Sequence, residues 1–282
     1  MKTSATYFLF LILIYWGREI FLIFLPSNHS KLIDNHLEFL RWWRPQYPFE
    51  SSLSKWAKLK KYKFYTDLVS ILLNFQRTYG YCPKLCFGHI REGLFKHKDF
   101  DTKLRRINHS GVLQFILTSI IVWFMVGMSI KTLSWTPSGH LMVFLILLQA
   151  IGLIFYRLGA LFLENKIFKG FDAKHYAFYT FLCLYKSGLA YQEVLRKSGI
   201  KTVENLTKQE QKEITHMLKR WHKLGQAIEE DILELICQTW INLSHSFEKF
   251  LQLLSALRLF TLVFFFLSSY FCFLAYLMNT LI

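Results

Sequence analysis

This chain has little of what enzymes and transporters need. Its three long apolar runs, Val112 to Ile130, Leu141 to Leu163 and Leu259 to Ile282, contain no Asp, Glu or His. That argues against an intramembrane aspartyl peptidase and against a proton-relay transporter. No G-x-x-x-x-G-K-S/T phosphate loop occurs, so the chain is not expected to hydrolyse nucleotide itself. Five cysteines, Cys82, Cys86, Cys183, Cys237 and Cys272, are scattered along the sequence. Cys82, Cys86 and His89 give C-x3-C-x2-H, but no second pair lies nearby to complete four ligands. The plainer reading is a turn after Gly80 and Pro83 with small apolar fillers, and free thiols are expected. No metal, no cofactor and no catalytic residue is expected.

What the chain does have is apolar length. It has 282 residues, is 53% hydrophobic and carries a formal charge of +15. Crossing a bilayer as a helix takes ~20 consecutive apolar residues, and each of the three runs meets that length. The expected class is an all-α integral membrane protein with three to four transmembrane helices and two cytoplasmic helical-bundle segments. Arg157 lies near the end of its run, where it can snorkel to the interface. A fourth block, Tyr7 to Leu25, is interrupted by Arg18-Glu19. It reads as a span whose charges pack against partner helices, as a helix bent at Gly17 whose second part lies in the interface, or as a signal peptide. The last is disfavoured, because no small-x-small cleavage site follows.

Basic residues set the orientation. Ser27 to Gly111 has 16 basic and 7 acidic residues, and Glu164 to Arg258 has 14 basic and 11 acidic. The link from Lys131 to His140 has one basic residue. Both large polar segments are therefore expected in the cytoplasm, with a short outside loop carrying Trp135 and Pro137. The organisation expected is an N-terminal span or anchor over 1–26, a cytoplasmic helical segment over 27–111 and a transmembrane hairpin over 112–163. A cytoplasmic bundle over 164–256 and a last span over 257–282 complete it. Topology and anionic headgroups account for the positive charge without nucleic acid. Leu53 to Lys63 is a basic amphipathic stretch whose Lys55, Lys58, Lys60, Lys61 and Lys63 suit the anionic inner leaflet.

The second polar segment is rich in helix signals. Asp172 suits an N-cap for a helix over Ala173 to Ser187, with Gly188 as a left-handed stop. A short helix from Tyr191 to Lys197 ends at Gly199. Thr207 to Glu210 forms a capping box, opening a helix with Ile214, Met217, Leu218, Trp221 and Leu224 on one face and a stop at Gly225. A last amphipathic helix, Trp240 to Arg258, runs into the final span. In the first segment, Arg44-Pro45 breaks the chain, Phe64 to Gln76 has helical spacing, Gly80 stops it, and Leu85 to Phe95 leads to a charged link over Lys96 to Arg106. Phe64 to Leu85 and Phe178 to Leu195 both read helix, glycine, shorter helix, a hint of repetition. Such short helices need mutual burial of their apolar stripes, so these stripes are core. The cluster Glu229-Glu230-Asp231 with Glu234 suits a helix dipole; a basic partner surface or a divalent cation are the alternatives. His216, His222 and His245 read equally as solvated edges or as ligands, and no role is assigned to them.

The sequences LYKSGLAYQEVLRKSG, MLKRWHKLGQAIEEDI and FEKFLQLLSALR, the last leading into a terminal span, resemble the F-domain of inner-membrane platform proteins of type II secretion systems and type IV pili. The matching features are Ser187-Gly188-Leu189 followed by Glu193 to Leu195, then Leu224-Gly225-Gln226 followed by Ile228 to Ile232, then Phe247 to Arg258. The order of spans is most similar to the Tad (Flp pilus) branch. Where that family often has a glutamate and a glycine before the last helix, this chain has Ser244-His245-Ser246.

The resemblance implies a non-enzymatic platform in the bacterial inner membrane. Its partners would be a hexameric secretion ATPase, a second F-domain platform protein and pilin subunits, within membrane lipid. On that reading Lys186, Gly188, Arg196, Lys197, Gly225, Glu229, Glu230 and Asp231 are expected at the partner contact. The rival classes are a membrane transporter, for which Gln149, Ser268, Ser269 and Thr118 would have to line a polar path, and a lipid-binding scaffold without a motor partner.

Overall fold

A computed structural model describes residues 28–43, 49–79, 84–133, 137–203 and 206–281. Among these the fold is all helix, with no strand. The block Tyr7 to Leu25, Arg44-Pro45, Gly80, Cys82, Pro83 and Trp135 lie outside the described residues. The helices are α1 Asn28–Trp42, α2 Phe49–Ala57, α3 Tyr65–Tyr79, α4 Lys84–Leu133, α5 Gly139–Phe168 and α6 Phe171–Lys186. They continue as α7 Tyr191–Ser198, α8 Lys208–Leu224 and α9 Glu229–Thr261, then a π-helical turn Leu262–Leu267, then α10 Ser268–Leu281.

The chain forms two compact units. One, here the membrane unit, takes Thr102–Ile167 and Glu248–Ile282; the other, the helical unit, takes Ser27–Asp101 and Phe168–Phe247. The two polar segments, expected as separate bundles, thus share a single core. Leu68, Leu72 and Ile90 from the first are buried with Phe178, Phe181, Ile228 and Ile232 from the second in one apolar cluster. Helix α3 packs against α6, and α7 folds back along α6.

Helix boundaries follow local chemistry. The Thr207 hydroxyl accepts from the Glu210 amide at 3.1 Å, while the Glu210 carboxylate accepts from the Thr207 amide at 2.7 Å. That is the expected capping box, and it satisfies two orphan donors of α8. Gly225 closes α8 at φ 62°, where a side chain would be strained. Helix α6 departs from expectation. Its N-cap is Gly170, at φ 92° and with no side-chain cap, and Asp172 lies inside the first turn. Asp172 is drawn there by partners on other helices rather than by its own amides. Helix α2 ends at Ala57, so the basic stretch from Lys58 to Lys63 is turn rather than helix.

Among the described residues, three helices are long and apolar enough to cross a membrane. The charged link Lys96 to Arg106 is not a link. It is interior to α4, a single helix of 50 residues, supported by pairs such as Glu92–Lys96 at 2.7 Å. This also ends the hint of repetition, since the helix after Gly80 is the longest among the described residues rather than a short one. Likewise α9 runs unbroken from Glu229, so no boundary falls near Trp240.

Glu210 does more than cap. Its carboxylate accepts from Lys174 Nζ at 2.8 and 3.1 Å, and both residues are buried. A buried ion pair does not by itself favour the folded state, but removing one member leaves an uncompensated charge at a cost of about 3–5 kcal/mol. Glu210→Ala is therefore expected to destabilise by that amount, and Glu210→Gln, which keeps the capping oxygen, by less. Chemical denaturation of the purified chain checks both; equal losses would mean that the charge pair accounts for the whole effect and the cap for none of it.

Candidate functional site

In the helical unit, the C-termini of α6 and α8, the turn into α7 and the N-terminus of α9 meet at one end. Each stop is a glycine in the left-handed region: Gly188 at φ 71°, Gly199 at 64° and Gly225 at 62°. Trp221 fastens this end. Its ring lies 5.3 Å from that of Tyr185, 5.0 Å from that of Tyr191 and 5.8 Å from that of Phe181. Tyr185 OH also receives the Ile228 amide at 3.4 Å, tying α6 to the start of α9.

This end gathers most of the expected partner residues. Lys186 is ion-paired with Glu229, joining α6 to α9. Asp231 accepts from Arg220 Nη2 at 2.6 Å, joining α9 to α8. Lys197 pairs with Glu193 one turn away at 2.6 Å. Glu230 and Arg196 are exposed, as is Leu224, the large apolar side chain beside Gly225. So Glu229 and Asp231 hold the helix ends together, while Glu230, Arg196 and Leu224 face outward.

The basic stretch divides in the same way. Lys58 and Lys60 are exposed. Lys55 lies 3.4 Å over the Trp42 ring, and Lys61 meets Asp67 at 3.2 Å. Lys63 turns inward, 3.2 Å from Asp101 and 3.9 Å from Asp172. Its φ of 41° is a left-handed conformation that costs a non-glycine residue roughly 1–2 kcal/mol. The two carboxylates offset that cost.

Asp172 is the exposed end of a polar chain, otherwise buried, that sequence reading did not find. Tyr65 OH lies 2.5 Å from His97 Nδ1, and His97 Nε2 lies 3.4 Å from Asp172 Oδ1. The order fixes the tautomer: the phenol donates to Nδ1, and the Nε2 proton faces the carboxylate. Burial, with nearby tyrosines and aspartates, holds the Tyr65 phenol well above its ordinary value, so it stays a donor. Asp172 is opposed by burial, but His97 and Lys63 outweigh this and lower its carboxyl. Behind the chain, the His175 ring lies 4.3 Å from Trp240 and 5.4 Å from His97, fully buried, with neither nitrogen hydrogen-bonded. Gly93 makes room for this cluster: a Cβ there would fall 2.6 Å from Tyr179 OH and 3.0 Å from Tyr65 OH.

A Tyr–His–Asp chain can in principle activate a phenol, but Tyr65 and His175 have no exposed surface. Here it acts as a strut between α3, α4 and α6. No group of His, Cys, Asp and Glu suited to a metal occurs among the described residues. Cys86 and Cys183 are buried free thiols, and Cys237 and Cys272 exposed ones.

In the membrane unit the polar residues are spent on one another. Gln149 Oε1 accepts from Ser119 Oγ at 2.8 Å and from Trp123 Nε1 at 3.0 Å, and its Nε2 donates to Ser269 Oγ at 3.2 Å. One amide thus joins all three spans. The Thr118 hydroxyl returns to the Gln114 carbonyl at 2.9 Å and the Ser268 hydroxyl to the Phe264 carbonyl, leaving no polar path among them. Gly152 and Gly159 admit Phe265 and Leu257, whose atoms would lie 2.6 and 2.7 Å from added Cβ atoms. Outward faces carry large apolar residues such as Phe124, Leu158, Phe162 and Phe264, as a lipid-facing surface requires.

The chain matches no family model, no curated protein and no solved structure.

His97 and His175 lie outside the apolar runs, and burial lowers both, His175 to about 3. A histidine kept neutral in the folded state favours folding above its unfolded value near 6.5 and loses that contribution as pH falls. Between pH 6.5 and 5, His175 alone is expected to cost about 2 kcal/mol. Thermal melts at pH 7 and pH 5 check this. His175→Phe is expected to flatten the dependence, and an unchanged slope in that variant would remove His175 as its source.

Proposed function

We propose that this chain is a non-enzymatic platform of a pilus or protein-secretion assembly machine. It would lie in the bacterial inner membrane and be most similar in organisation to Tad (Flp pilus) platforms. The helical unit would face the cytoplasm and dock onto a hexameric ATPase and a second platform protein. The membrane unit would carry pilin subunits from the bilayer into a growing fibre.

The observation that carries this reading is the sharing of helices. Residues of α4 and of α9 belong to both units, and the chain passes from one to the other inside each helix. An unbroken helix transmits a displacement along its axis, which a device that turns cytoplasmic motion into lift requires. The glycine-stopped end of the helical unit supports the docking assignment. Its charges Lys186, Glu229, Arg220 and Asp231 are internally paired, and Glu230, Arg196 and Leu224 remain for a partner. The transporter reading loses support, because Gln149, Ser268, Ser269 and Thr118 are hydrogen-bonded within the unit. A catalytic reading gains none from a Tyr–His–Asp chain whose phenol and imidazole are both buried.

The pairing pattern also selects the variant to test. Reversing Glu229 would break the Lys186 pair, so Glu230→Lys is the cleaner probe. A photoreactive residue at Leu224, crosslinked in cells, is expected to recover a hexameric ATPase and a second platform protein. Glu230→Lys is expected to reduce that recovery about tenfold at unchanged abundance, as loss of one well-placed charge contact of ~1.4 kcal/mol would. Recovery of transport or lipid-handling proteins alone would overturn the proposal.

A further inference from the structure

Within the membrane unit, a cavity of about 300 Å³ opens between α4 and α5. Val112, the first residue of one apolar run, lines it together with Arg157, near the end of the next. It therefore lies where apolar helix gives way to charged helix, the depth of phospholipid phosphates. Val112, Ala160 and Leu161 form an apolar wall, and Leu161 is exposed on the outer face.

Buried polar atoms without partners converge on this place. Asn108 Oδ1, Tyr156 OH and Arg258 Nε are each buried and make no hydrogen bond. Asn108 and Tyr156 line the cavity. Arg258 comes from α9 and lies beside Tyr156 OH: a Cβ at Gly111 would meet that hydroxyl and would lie 3.4 Å from Arg258 Nε. Gly111 is thus the space that lets both approach. Tyr156 is only 2% exposed, its ring held at 4.7 Å from Phe115. Arg258 spends Nη1 on Gln114 Oε1 at 3.4 Å, and its Nε lies beside Tyr156 OH and interacts with it without a well-aligned hydrogen bond. Burying such groups unpaired is costly, and elsewhere in this unit, at Gln149, the donors and acceptors are matched. Arg157 and Glu164 form the rim and hold interactions of their own.

We propose that this cavity binds the phosphate of one acidic phospholipid. Tyr156 OH donates to a phosphate oxygen with the Arg258 guanidinium behind it, Asn108 meets the headgroup, and the acyl chains run down the apolar face past Leu161. The positive charge of Arg258 behind the hydroxyl selects an acidic headgroup over a neutral one, while Arg157 and Glu164 oppose each other in charge at the rim. The inference needs only the membrane unit and is independent of the platform reading.

Native mass spectrometry of the full-length chain tests it. The chain would be stripped of lipid in detergent, then offered equal amounts of phosphatidylglycerol and phosphatidylcholine with the same acyl chains. The wild type is expected to keep one phosphatidylglycerol with about a tenfold preference, and Tyr156→Phe and Arg258→Gln to lose about fivefold each. Lipid-free Tyr156→Phe is expected to melt no lower than wild type, since it removes an unpaired buried hydroxyl, and to gain less on adding phosphatidylglycerol. Equal retention of both lipids, or undiminished retention by both variants, would overturn the site. So would inorganic phosphate that stabilises the chain as well as the lipid does and displaces it, which would assign the cavity to the free ion.

Discussion

The helical unit depends on satisfying one histidine at both ends. A buried imidazole needs a donor on one nitrogen and an acceptor on the other, and for His97 these come from different helices. Tyr65 on α3 supplies the proton to Nδ1, and Asp172 on α6 faces Nε2. Neither partner is near His97 in sequence. Once both are in place, the starts of α3 and α6 are fixed against the body of α4. The aromatic rings of Phe64, His175 and Trp240 can then close around them. Lys63 accepts a strained backbone because the same geometry presents it with Asp101 and Asp172. Apolar packing supplies the bulk of the stabilisation, and this polar chain selects which packing is adopted.

The membrane unit solves a different problem. Lipid offers no water to polar side chains, so each must be matched inside the unit. Gln149 does this with Ser119, Trp123 and Ser269, and the π turn Leu262–Leu267 does it for the backbone beside them. The Ser269 hydroxyl reaches the Phe266 carbonyl at 2.6 Å, and the Thr261 hydroxyl the Leu257 carbonyl at 2.8 Å. The widened turn places fully buried Phe266 against Phe115 at 5.4 Å. Where such matching fails, around Tyr156, Asn108 and Arg258, the failure is what singles that place out.

Much of this was legible in the sequence, and the boundary of legibility has a physical cause. The spans, the glycine stops at Gly188, Gly199 and Gly225, the capping box at Thr207 and the buried face of α8, from which only the exposed Leu224 departs, are local signals. Each follows from the residues within a turn or two. The register of α4 through Lys96 to Arg106 was not legible, because a charged stretch hides a helix unless its paired charges four apart are weighed. Asp172 was misread as a cap because its residue type suits a cap, and only the folded chain brings His97 and Lys63 beside it. The single core formed by the two polar segments has no periodic signature at all. The outward residues Glu230, Arg196 and Leu224 could be separated from the paired Glu229 and Asp231 only once Lys186 and Arg220 were in position.

The helical unit is discontinuous, and this has a consequence for how the chain is made. Its first half ends at Asp101 and its second begins at Phe168, with two membrane-crossing stretches between them. A ribosome adding roughly 5–20 residues per second leaves the first half without its partner for several seconds. During that interval Tyr65 and His97 have each other but not Asp172, and the faces of α1, α3 and α4 that will meet α6 and α9 are bare. The order of synthesis therefore places both of those stretches ahead of the residues that complete the core.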